Sequence, residues 1–295
     1  MAFFCLLFLV IVFLILRPVV SNKTSSSIAN CPSQNKQHPG HCVSSNLETL
    51  DLKPNQKFDY KFQIQDDQGK PLTNFDIGHE KIMHVLLIKK DRSLFFHLHP
   101  EFDEQTGTFT LKGLEIPEPG SYRLFADFKD GNIKDESAKA VAVYEDLQIG
   151  MDTTKPQAVS TKEMTKTFGS YDVIMLSQPE IVSAGTNTKL SFLISDNRKN
   201  GAPVKDLRPY LGAYGHAVIF DSDLNLIHTH SNTGPAEAAN GVVEFEFTPN
   251  TAGNFAVFAQ FQIGNQLITT NFGLLVNKTL SEQDQKINSG LHDGH

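Results

Sequence analysis

The sequence predicts an all-β protein built as two tandem Ig-like β-sandwich domains, and three observations predict it. An internal repeat of about 130 residues runs through the chain after residue 46. Within each copy, short runs of alternating apolar residues are punctuated by Gly, Pro, Asn and Asp, as strands joined by tight turns require. No segment carries sustained helical periodicity, and 22 Phe and 6 Tyr without Trp, beside 20 Gly and 14 Pro, suit strands and turns.

The repeat is legible residue by residue. Gly69 and Pro71 return 132 positions later as Gly201 and Pro203. Phe58, Tyr60 and Phe62 return as Leu190, Phe192 and Ile194, which keeps the alternation of a half-buried strand. His84 returns as His216, and His97 with His99 return 131 positions later as His228 with His230. GSYRLFADFKDGN, residues 120–132, matches GNFAVFAQFQIGN, residues 253–265. These matches place one sandwich at residues 47–146 and the second at 168–278. A polar Thr- and Lys-bearing stretch at 147–167 reads as a linker. The tail at 279–295 reads as a polar flexible segment whose His292, Asp293 and His295 offer at most weak metal capture.

The amino terminus carries a different message. Ala2 to Leu16 is an unbroken apolar run of fifteen residues, shorter than the ~20 that usually span a bilayer. It fits the apolar region of a secretory signal at 1–21, with Ser21 or Ala29 as cleavage points; left uncleaved, it is a short membrane anchor. The protein is therefore expected outside the cytoplasm, in the periplasm, the medium or the envelope. A formal charge of −7, with no Lys/Arg-rich run, excludes a nucleic-acid footprint.

Export to an oxidising compartment bears on the polar segment at 22–46. Cys31 and Cys42 bracket CPSQNKQHPGHC, and a disulfide between them is the favoured expectation. The sharper alternative uses Cys31, His38, His41 and Cys42 as ligands for a soft or borderline ion. Cys31-Pro32, Pro39-Gly40 and Cys42 resemble a shortened heavy-metal-binding module of pattern CPMHP then PGxCPxCGM. Ser45 and Leu47 stand where its last Cys and Met would fall.

The strongest chemical signal is the histidine pattern. Each repeat has one His on an apolar strand, a turn, and then H-x-H. Alternation puts His97 and His99 on one face, and likewise His228 and His230. A two-residue hairpin loop at Asp91-Arg92 sets His84 opposite His99, and an odd loop within Asp221–Asn225 sets His216 opposite His230, with cross-strand neighbours about 5 Å apart. Each trio is thus expected to converge on one ion. Three imidazoles with an open fourth position suit copper, zinc or nickel, copper being preferred. By alternation Asp127 is a candidate acceptor that fixes an imidazole tautomer, and its repeat partner Gln260 can accept without bringing charge. His79 has no histidine counterpart and is expected to act locally, while Phe58, Phe62, Phe125 and Phe258 are expected in the core.

With these residues in hand, the chain resembles a family of exported bacterial proteins associated with heavy-metal and copper handling, over both repeats. Its first-repeat pattern, mHlivvrrDLsxFxHlHPe followed by pGxYRvfaDF, is matched by His84, Asp91, Phe96, His97, His99, Pro100, Gly120, Tyr122, Arg123 and Asp127. Its second-repeat pattern, PYLGAYGH with a later H-x-H, is matched from Pro209 to His216 and by His228 and His230. Arg92, Ser231 and Gln260 depart from it. The resemblance implies an extracytoplasmic, metal-related pair of Ig-like modules.

Three functions compete. One is a metal-binding protein of the cell envelope that buffers or transfers copper or confers resistance to it, handing the ion to a partner protein there. The second is a structural or adhesive Ig-like pair whose histidines are packed polar residues. The third is a metal-dependent oxidoreductase: H-x-H with Glu104 is cupin-like, although the upstream Gly and the second motif's His are missing. Hydrolase and nucleotide chemistry have no support, because no nucleophile elbow, phosphate-binding Gly loop or HExxH appears.

Overall fold

Two kinds of strand pattern divide the work of folding. The computed structural model describes residues 40–47, 51–151 and 159–279. In the first half the strands are β1 (Cys42–Ser45), β2 (Lys57–Gln65), β3 (Phe75–Asp76), β4 (Met83–Lys89), β5 (Phe95–Leu98), β6 (Glu101–Asp103), β7 (Thr108–Glu115), β8 (Gly120–Asp130) and β9 (Ala140–Ile149). One antiparallel sheet runs β1-β2-β7-β6; the other runs β5-β4-β8-β9, with β3 paired to the end of β8. Strand β2 alternates between exposed and buried residues, so one face meets water and the other supplies Tyr60, Phe62 and Ile64 to the core. Strand β4 is buried at all seven positions. Its Met83, Val85 and Leu87 point into the first sandwich, while Leu86 and Ile88 point out of it into a separate apolar cluster.

The second half repeats the plan with β10 (Thr165–Phe168), β11 (Tyr171–Gln178), β12 (Thr188–Asp196), β13 (Ala202–Pro203), β14 (Leu207–Arg208), β15 (His216–Phe220), β16 (Leu226–His230), β17 (Val242–Phe247), β18 (Gly253–Ile263) and β19 (Gln266–Val276). A one-turn helix at Pro235–Ala238 lies between β16 and β17. Strands β11, β12 and β17 face the sheet β16-β15-β18-β19 across a core centred on Phe192, Phe245, Phe261 and Phe272.

The outward faces of the two histidine-bearing sheets pack against each other. Leu86, Ile88, Phe95 and Phe125 from the first half meet Val218, Phe220, Leu224, Ala256 and Phe258 from the second. Phe95 stacks on Phe258 at 4.8 Å between centroids. Each such ring buried contributes about 1.5–3 kcal/mol, so the interface is a third core. Phe125 and Phe258 are buried as expected, but in this core between the halves. At its edge the Arg92 side chain donates to the Asn254 carbonyl.

Strand β9 runs to Ile149 and β10 begins at Thr165, so both enter the stretch expected as linker. Leu147 and Ile149 continue the alternation of β9 into the first core, and Val159 packs on the core between the halves. Residues 42–45 of the polar segment likewise form β1, with Val43 packed on the first core. Cys42 is disulfide-bonded, so it is not available as a thiolate ligand. Cys31, its expected partner, lies outside the described residues, as do the signal at 1–21, His38, and His292, Asp293 and His295 of the tail. No helix among the described residues is long and apolar enough to cross a membrane.

Candidate metal centre

The first trio is placed by one hairpin. Leu86 pairs with His97 and Val85 with Leu98, the register in which His84 lies opposite His99. The turn is longer than the two-residue loop expected. Lys89 N–H bonds the Leu94 carbonyl, leaving Lys90–Ser93 as the loop, and Asp91 closes it by accepting from the Ser93 amide and hydroxyl. The register survives because the loop stays centred on Asp91 and Arg92. In the second half His216 pairs directly with His230, around the Asp221–Asn225 turn that the side chain of Asp221 organises.

In each trio the three ligand atoms lie within 4.8 Å of one another. Their hydrogen bonds fix which nitrogen carries the proton. His84 Nε2–H donates to the Gly78 carbonyl at 3.0 Å, and His216 Nε2–H donates to the Tyr210 carbonyl at 2.6 Å. His97 Nδ1–H donates to Gln260 Oε1 at 2.9 Å, and His228 Nδ1–H donates to Asp127 Oδ2 at 2.6 Å. The atoms left over match in the two halves: Nδ1 of the first His and Nε2 of the first His in H-x-H.

Those atoms are poorly served by the protein alone. His84 Nδ1 lies 3.0 Å from His97 Nε2, two lone pairs facing each other with no proton between them. His99 Nε2 closes on the same atom at 3.1 Å. In the second trio His216 Nδ1, His228 Nε2 and His230 Nε2 are all buried without a partner. A buried polar atom left unpaired costs about 1–3 kcal/mol. Protonation would relieve it, but burial, reinforced by the neighbouring histidines, opposes the charge: His97 is pushed down to about 2, His99 to about 3, and His230 lower still. His216, whose bond to Tyr210 partly offsets its burial, falls to about 4. Imidazole nitrogens converging in threes within 4.8 Å are a donor set that fits a cation of the copper, zinc and nickel group.

Asp127 and Gln260 act as hydrogen-bond acceptors, but across the repeats. Asp127 pairs in register with His84 of its own half, yet its carboxylate takes the proton of His228; Gln260 pairs with His216, yet takes that of His97. The exchange is reciprocal, so each trio is held in part by the other half. The trios themselves touch: His84 and His97 lie 5.5 Å from His228, and His97 lies 5.9 Å from His216, between ring centroids. His79 is not local either. From the turn before β4 it stacks on His230 of the other half. The sequence signal for this was the unbroken apolar character of MHVLLIK and HAVIF, the pattern of strands covered on both faces. Outside the trios, His41 Nε2–H donates to Asp130 Oδ2 at 2.9 Å, and His41 takes part in neither cluster.

A family model described as a domain of unknown function (DUF8832) matches the chain at residues 39–144 and again at 166–278. No curated protein matches. Among solved structures, the chain is similar to CopC from Methylosinus trichosporium OB3b, at 15% identity and TM-score 0.26, over 37% of this chain and 97% of that one. It is similar to invasin, a bacterial integrin-binding protein, at 12% identity and TM-score 0.22, over 79% of this chain and 39% of that one. The fibronectin(III)-like modules of Clostridium thermocellum CbhA follow at 10% identity and TM-score 0.21, over 80% and 94%.

Proposed function

We propose that this protein, which belongs to the DUF8832 family through both of its halves, is an extracytoplasmic metal-binding protein that holds copper on two tris-histidine sites, for buffering, transfer or resistance. The observation that carries the reading is the set of three buried, unpartnered nitrogens on His216, His228 and His230, while in the other trio His84 Nδ1 and His97 Nε2 face each other at 3.0 Å without a proton to share. A scaffold whose histidines merely pack would leave those atoms unpaired, at about 1–3 kcal/mol each. Copper is favoured over zinc and nickel because Cu²⁺ leads the divalent affinity order at nitrogen sites. The apolar run at Ala2–Leu16 supports export, and a recipient protein in the envelope is the partner such a carrier would need.

The test is metal uptake by the full chain, equilibrated separately with copper, zinc and nickel, desalted and assayed by elemental analysis. About two coppers per chain are expected, falling to near zero when His97, His99, His228 and His230 are replaced by Ala. Copper retained undiminished by that variant would move the binding to the terminal Cys and His segments and overturn the assignment.

A further inference from the structure

The two halves copy six histidines, yet they differ in what stands around them. Beside the second trio lies a cavity of about 280 Å³, where the turn before β4 and the β8–β9 edge of the first half meet β16 of the second. His228 and His230 of the second trio and His84 of the first reach it, Lys81 and Lys129 line it as well, and Ala140, Ala142 and Leu226 give it apolar wall. Neither lysine makes an ion pair among the described residues. Asp127 also lines the cavity, with its carboxylate engaged by His228. Two ammonium groups against one carboxylate leave a surplus positive charge at the edge of a site expected to take a cation, an arrangement that opposes entry of a bare metal ion.

The repeat supplies an internal control. At the matching positions His79 becomes Leu211, Lys81 becomes Ala213 and Lys129 becomes Gln262. The cross-strand partners of Asp127 and Lys129 are Ala142 and Ala140, whereas those of Gln260 and Gln262 are Thr269 and Leu267. Around the first trio, then, every basic group of the cavity is replaced by a neutral one, and both alanines by larger side chains. Thr269 there accepts from Gln260 Nε2 at 3.0 Å. Room and positive charge have been built together, on one side only of a duplicated scaffold.

We propose that this cavity binds a small organic carboxylate, one oxygen of which takes the coordination position that His216, His228 and His230 leave open on their metal. Lys81 and Lys129 flank its charge, and Ala140, Ala142 and Leu226 cover its apolar part. The inference rests on the metal-site reading and adds a second ligand to it at the second trio.

Benzoate is the probe. The full chain is loaded with Cu²⁺, its copper content measured by elemental analysis, and benzoate titrated while the copper EPR spectrum and the heat of binding are followed. Benzoate is expected to shift the spectrum of one of the two coppers in a saturable way. The double variant Lys81→Ala with Lys129→Gln carries the residues that the second half already tolerates at these positions. It is expected to keep its copper and to bind benzoate about tenfold more weakly or worse. An unchanged spectrum in copper-loaded wild type, or equal affinity in the variant, overturns the anion pocket. A chain that retains no copper overturns the metal-site reading beneath it, and the elemental analysis reports that before any benzoate is added.

Discussion

Acidifying the metal-free chain from pH 6.5 to 5.5 should destabilise it by an amount that follows from the buried imidazoles. In the unfolded chain a histidine titrates near 6.5. In the native chain burial, with the neighbouring histidines, holds His97, His99 and His216 down to about 2, 3 and 4. Over that pH unit the native rings take up almost no proton, while each unfolded ring goes from half to about ten-elevenths protonated. The unfolded state binds more protons, so this stability is present above the unfolded value and is lost as pH falls toward the native one. Each ring forfeits RT ln(11/2), about 1 kcal/mol, and the three together about 3 kcal/mol, a large part of an ordinary stability of about 5–15 kcal/mol. With a urea dependence of about 1–3 kcal/mol per molar, the unfolding midpoint should fall by on the order of 1–3 M. The assay is urea unfolding by circular dichroism at pH 7.5, 6.5 and 5.5 after chelation, with a His97→Gln and His216→Gln chain as control, in which the loss is smaller by about 2 kcal/mol. A midpoint that stays flat or rises on acidification would refute neutral, buried imidazoles in the native state.

The remaining expectations concern the contacts between the halves. Asp127→Asn removes the carboxylate that fixes His228, and should weaken copper at the second trio about 10–100-fold in competition with a chromophoric chelator; an unchanged affinity would show that the cross-repeat bond positions nothing. Phe258→Ala empties the stack with Phe95 and should cost about 3–5 kcal/mol by chemical denaturation; a loss below about 1 kcal/mol would mean that the halves do not share a core. Gly215→Ala would set a methyl 2.8 Å from Phe245 Cζ and 2.9 Å from Val243 Cγ1, and should lower stability by about 1–3 kcal/mol, a neutral result excluding such tight packing behind His216.

Much of this was legible in the sequence because strand physics is local. Alternation and turn residues gave the β-sandwich plan, and a hairpin centred on Asp91-Arg92 is enough to set the register of His84 against His99 even though the loop proved to be four residues long. The trios followed from that register. What local pattern does not carry is the pairing of the two halves. Asp127 faces His228 and Gln260 faces His97 only because two sheets pack with their outer faces together, a non-local event that intra-strand periodicity does not specify. Its trace was there in MHVLLIK, an unbroken apolar run where a sheet with one wet face would alternate. His79 illustrates the same gap: read alone it was a turn residue without a partner, and its partner, His230, is 151 positions away.

The measurement that meets the central claim most directly is an anomalous-difference map at the copper edge from crystals of the copper-loaded full chain. Two peaks are expected, one bounded by His84 Nδ1, His97 Nε2 and His99 Nε2 and the other by His216 Nδ1, His228 Nε2 and His230 Nε2, each at the ~2.0–2.1 Å expected of imidazole ligands. Peaks bound elsewhere on the chain, with both trios empty, would contradict it.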